Sequence, residues 1–184
     1  MPILSPTRVI ELLGLDSTDT TLIPLIQSNT IGFQNWITDF LKNWFHTEDW
    51  INASTISFSG QVITDSDSGF ITAELSNDMD VHIENSKRND GIFRVRDAVA
   101  ATLTLDDEYH TDDFNTETAA NSIRITRIHW PVGMELISAK MIGIDIQNTR
   151  GIVEASVDVD DLEKYPEGLL DKFNPWKKWG FQAE

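Results

Sequence analysis

The chain contains no cysteine. A disulfide framework, a thiol nucleophile and a thiolate metal site are therefore excluded. At 184 residues it is long enough to bury a core without such staples. Positive charge is also scarce: 14 Lys and Arg stand against 30 Asp and Glu, for a net charge of −16. Phosphate-tracking DNA binding needs a basic face, which this balance argues against. The acidity suits solubility, repulsion from nucleic acid, or a basic partner. Residues 54–130 hold 14 of the 30 acids and 6 of the 14 basic residues, half of the net charge. No apolar stretch approaches the roughly 20 residues of a membrane span. The opening Met-Pro-Ile-Leu-Ser-Pro lacks a basic region followed by an apolar run, so no signal peptide is expected. Synthesis in a cytosol fits both features.

Helical spacing marks both ends of the chain. Ser5 is placed to cap free amides and Pro6 to occupy the first helical position, where its missing N–H is harmless. Val9, Ile10, Leu12 and Leu13 form the apolar side, and Gly14 ends the helix. After a polar turn, a long helix is predicted from about Thr20 to about Phe45. Leu22, Ile26, Phe33, Ile37, Phe40 and Trp44 lie along its stripe. The indoles Trp36, Trp44 and Trp50 read as core residues rather than a ligand site. Near the other end, Met134, Ile137, Met141 and Ile144 recur at three- and four-residue spacing, flanked by Leu136, Ala139, Ile142 and Ile146. An apolar face that broad predicts a buried helix. Asn148, Thr149 and Gly151 stop it. A strand-prone acidic segment from Val153 to Leu162 follows, then a short helix begun by Tyr165-Pro166-Glu167 and ended by Asn174-Pro175.

Between these ends the period becomes strand-like. Ile56 and Phe58, Val62 and Ile63, Phe70 and Ile71, Val81 to Glu84, Ile92 to Val99, Thr102 to Leu105 and Ser122 to Ile128 read as short strands. Turn clusters separate them at Asp65–Gly69, Asn77-Asp78 and Asn89–Gly91. Strands so short, with turns at such spacing, predict a small antiparallel barrel or sandwich over 54–130. The acidic stretch from Asp106 to Ala120 has no period and reads as a solvated loop. Trp130-Pro131 marks the return to helix, since a residue before proline avoids the helical region.

The ordered set Ala139-Lys140, Asn148 to Ile152, Pro166-Glu167 and Asn174 to Lys178 resembles the head–tail connector (adaptor) proteins of tailed bacteriophages. The N-terminal order of short helix, Leu13-Gly14-Leu15-Asp16, polar turn and long helix is similar to the same family, so the resemblance covers roughly residues 5–50 and 131–180. The middle segment resembles a small β-barrel module of phage structural proteins, through Ile63 to Phe70, Asn89 to Val95 and Thr102 to Asp106. It departs from that module at Ser76–Asp80, where a Gly-Asp turn is usual. The resemblance implies an α+β fold: a helical bundle from 1–53 and 131–184, with an inserted small antiparallel β-barrel or sandwich at 54–130. It implies a ring of identical subunits, a dodecamer, in the virion neck. The ring's partners would be the portal protein and a stopper or tail-completion protein, with packaged DNA passing through unbound and no membrane involved.

Chemical motifs are sparse. His46, Glu48 and Asp49 cluster in sequence, as do His110, Asp112 and Asp113, but neither set has the spacing that places two imidazoles on one helical face. Asp65–Gly69 begins like a calcium loop, yet its Gly comes a position early and no closing Glu follows, so a turn held by side-chain-to-backbone hydrogen bonds is expected. No nucleophile elbow or phosphate loop is present. The expectation is a non-enzymatic protein without metal or cofactor. The cluster Phe173, Trp176, Lys177, Lys178, Trp179 and Phe181 either anchors in a neighbour's pocket, as aromatic hot spots do, or covers the chain's own core. The resemblance implies the anchor. Rival readings are another neck or tail-completion (stopper-like) role, an acidic DNA mimic, and an enzyme with a carboxylate dyad.

Overall fold

The computed structural model describes residues 6–15, 18, 21–106, 113–131 and 133–147, with single positions at 168, 172 and 175. Trp44–Trp130 form one compact unit, and helices α1 (Pro6–Leu13), α2 (Leu22–Leu41) and α3 (Met134–Gln147) belong to another. The first unit is one antiparallel sheet of eight strands: β1 (His46–Ala53), β2 (Ile56–Gly60), β3 (Val62–Asp65), β4 (Met79–Glu84), β5 (Gly91–Val99), β6 (Thr102–Leu105), β7 (Phe114–Glu117) and β8 (Ile123–Ile128). Their order across the sheet is β1-β8-β4-β5-β6-β3-β2-β7.

This corrects the expected architecture. The described chain is dominated by a single sheet, not by a helical bundle carrying an inserted barrel or sandwich. Residues 46–53, read above as part of the helical 1–53 segment, are a strand, and the long helix stops at Leu41 rather than near Phe45. Lys42 ends it in the left-handed conformation (φ +51), with its amide bonded back to Asp39. Strand β7 lies in the stretch read as a solvated loop, while Phe70 and Ile71 sit in a turn.

Alternation along the strands explains the sheet's inner face. Ile56 and Phe58, Ile63, Val81 and Ile83, Val95, Leu103 and Leu105, and Ile123 and Ile125 point into one dry core. Gly60 (φ +57) opens the two-residue turn that registers Ser59 against Val62, a place where tight hairpins need a positive φ. The sheet coils on itself. Strands β5 and β7 are four places apart, about 19 Å in a flat sheet, yet the rings of Phe93 and Phe114 lie 4.8 Å apart. Side chains rather than a ladder bind this seam. Lys87 and Arg88 donate their amides to the Glu117 carboxylate, and buried Asn89 donates to Asn115 O and accepts from its amide.

In the helical unit, α1 contributes Val9 and Ile10 to the interior, α2 contributes Ile26, Phe33, Ile37 and Leu41, and α3 contributes Met134, Ala139, Met141, Ile142 and Ile146. Gly143 lets α1 approach closely: a Cβ there would lie 2.8 Å from Leu13 Cδ1. Leu136, counted in the buried face of α3, is 46% exposed. The three indoles are not core either. Trp36 and Trp44 are half-buried, and Trp50 is 48% exposed beneath the Arg124 guanidinium. No helix among the described residues is long and apolar enough to cross a membrane.

Candidate functional site

Strand β4 sends Met79, Val81 and Ile83 into the apolar core. Its alternate residues, Asp80, His82 and Glu84, occupy the outer face, where burial is just as deep at two of them: Asp80 is 1% and His82 6% exposed. The ladder fixes their neighbours. Asp80 stands between Ile128 and Arg94, His82 between Thr126 and Ile92, and Glu84 beside Arg124. Two indoles from the ends of this unit cover the row. Trp44 stacks on His82 at 3.9 Å between ring centroids and 7° between planes. Trp130 donates its indole N–H to Asp80 Oδ2 at 2.6 Å.

Asp80 also faces Arg94 Nη1 at 3.5 Å. Burial pushes the Asp80 pKa above the usual carboxylate value, against the opposing pull of the Trp130 hydrogen bond and the Arg94 charge. Asp80, Arg94 and Trp130 form a buried structural network, the Arg94 side chain being 10% and the Asp80 side chain 2% exposed.

The neighbouring group is different. His46, from the edge strand β1, reaches over β8 so that its Nε2 lies 2.9 Å from His82 Nδ1. The β1–β8 register breaks between His46 and Trp50, β1 taking four residues where β8 takes two. Glu84 Oε2 lies 3.9 Å from the same His82 Nδ1, and the three donor atoms fall within 4.8 Å of one another. Burial is the main influence lowering the His82 pKa; His46 and Arg124 lower it further, while Glu84 and Asp90 oppose. A neutral imidazole offers a lone pair, so the cluster presents two nitrogen donors and one carboxylate oxygen on one face.

The sequence-level candidates fare unevenly. Of His46, Glu48 and Asp49, only His46 joins this cluster. Glu48 is exposed, and Asp49 accepts from Arg127 Nη1 at 2.8 Å. Asp113 is exposed, whereas His110 and Asp112 lie outside the described residues. So do Phe173, Trp176, Lys177, Lys178, Trp179 and Phe181, and the motif positions 148–152, 166–167, 174 and 176–178. The Asp65 loop is the hydrogen-bonded turn expected of it. Its buried carboxylate accepts from the amides of Asp67 and Gly69 and the hydroxyl of Thr55. His82 and Glu84 were missed as site residues. Their alternation with Val81 and Ile83 already put them on one face of one strand; their partner His46 became visible only with β1.

No family model, curated protein or solved structure matches this chain.

Proposed function

We propose that this chain is a head–tail adaptor of a tailed bacteriophage, a non-enzymatic subunit that rings the portal exit and extends the DNA channel. The observation that carries the reading is the ordered motif set: Leu13–Asp16, Ala139-Lys140, Asn148 to Ile152, Pro166-Glu167 and Asn174 to Lys178. Two features support it. Helix α3, which bears Ala139-Lys140, packs against both N-terminal helices, so motif-bearing segments from the two ends of the chain share one unit. The charge of −16 also suits a channel through which DNA slides, since carboxylates repel phosphate.

In this reading a dodecameric ring closes by head-to-tail contacts, each subunit offering one face to its neighbour's other face. The portal lies on one side, and a stopper or tail-completion protein docks on the other. The C-terminal aromatic and basic residues anchor the ring, with Trp176 and Trp179 filling a neighbour's pockets. The protein resides at the neck of the virion.

One observation favours a second reading. The dominance of the sheet suits a stopper-like tail-completion protein, although the 20-residue α2 does not. Native mass spectrometry with the portal ring of the same phage separates the two. An adaptor binds the bare portal with the portal's own symmetry, and the double variant W176A/W179A binds at least about tenfold more weakly. Association only after a separate adaptor is added would instead make the chain a stopper. No association in either case would overturn both.

A further inference from the structure

We infer that His46, His82 and Glu84 bind one divalent transition-metal ion of the zinc class on the outer face of the sheet. The inference is independent of the neck reading. Two imidazole nitrogens with one carboxylate suit zinc and its first-row neighbours, whereas calcium and magnesium take all-oxygen sets. A tetrahedral ion holding N and O donors at about 2.0–2.1 Å sets them about 3.3 Å apart. Two separations bracket that value, 2.9 Å between the histidine nitrogens and 3.9 Å from His82 Nδ1 to Glu84 Oε2.

A histidine–histidine hydrogen bond alone accounts for less of this arrangement. It would satisfy His46 Nε2 and His82 Nδ1 and leave Glu84 Oε2 at 3.9 Å, beyond hydrogen-bonding distance. Arg124 Nε lies equally far from Glu84 Oε2 and donates to Thr126 Oγ1 instead, so it does not clamp the carboxylate. An ion among the three donors engages all of them. Only short side-chain shifts are needed, and the residues that would make them are the exposed His46 and the half-buried Glu84. The deep ligand, His82, is held from behind. It sits on a central strand, and Trp44 covers its ring face and excludes water there. Three protein donors with His46 at an open edge leave a fourth position for water.

Zinc chloride titrated into the untagged protein by calorimetry tests the site, with cobalt(II) as a spectroscopic probe. One Zn2+ should bind per chain and raise the thermal midpoint. His46→Ala and Glu84→Gln should each weaken binding at least about tenfold, while His110→Ala leaves it unchanged. Bound Co2+ should quench tryptophan fluorescence, and Trp44→Phe should lose most of that quench while keeping the ion, because Trp44 is the indole stacked on a ligand. Both His46→Ala and Glu84→Gln alter residues outside the core, so folding of the variants is checked simply by circular dichroism. The inference is overturned if Zn2+ does not bind, if His46→Ala binds as tightly as the parent, or if His110→Ala is the variant that loses it.

Discussion

Strand β4 buries both of its faces, in opposite chemistry. Met79, Val81 and Ile83 pack into the apolar core on one side, while Asp80, His82 and Glu84 meet Arg94, Trp130, Trp44 and His46 on the other. The inner face is held by non-directional burial, so any well-shaped apolar set would serve. The outer face is held by directed pairs, each of which fails when one partner is removed. Burying polar groups is costly unless they are matched. A buried polar row on a central strand is thus a weak source of stability and a more promising place to look for a role.

The largest expected effect breaks a matched pair. Asp80→Ala removes the acceptor of Trp130 and the buried partner of Arg94, and should cost about 3–5 kcal/mol in urea denaturation. Replacing both members, Asp80→Leu with Arg94→Met, should recover the share of that loss due to the unpaired Arg94, while the Trp130 N–H stays without its acceptor; no recovery at all would mean that Asp80 and Arg94 do not act as a pair. Next, Ile83→Ala on the inner face should cost about 3 kcal/mol by the cavity it leaves, with no second substitution able to rescue it by charge.

Asp65→Asn sharpens the contrast between kinds of carboxylate. Burial by itself would raise the Asp65 pKa, but the Thr55 hydroxyl and the Gly69 and Asp67 amides outweigh it and hold the value below the ordinary one. Its contribution is therefore present above the unfolded value of about 3.9 and is lost as pH falls through the lower folded value. The variant should lose about 1–2 kcal/mol at pH 7, and the gap from the parent should close below about pH 4. A gap constant from pH 7 to pH 3 would contradict this. The smallest effect belongs to the half-exposed ring: Trp50→Ala, which removes the Arg124 contact, should cost about 1 kcal/mol by thermal melting.

These contrasts also explain what could be read from the residues. Strands with clean apolar alternation were legible: Ile56 and Phe58 in β2, Val81 and Ile83 in β4, Leu103 and Leu105 in β6. The two edge strands were not. Strand β1 reads His-Thr-Glu-Asp-Trp-Ile-Asn-Ala, with polar residues on both faces, and β7 has the single apolar Phe114. Both are recruited by tertiary partners that no local window contains: Arg127 for Asp49, and Asn89 and the Lys87 and Arg88 amides for Asn115 and Glu117. Missing those edges led to the bundle-with-insert architecture. It also hid the site, because His46 lies 36 residues from His82 and meets it only through β1. Helices α1 and α3 were legible from their spacing, and α2 in all but its C-terminal turn, where Lys42 turns left-handed.

The adaptor role is tested most directly by electron microscopy of particles made by the parent phage with this gene deleted. The account predicts DNA-filled or leaking heads beside separate, complete tails. Intact tailed particles would contradict it.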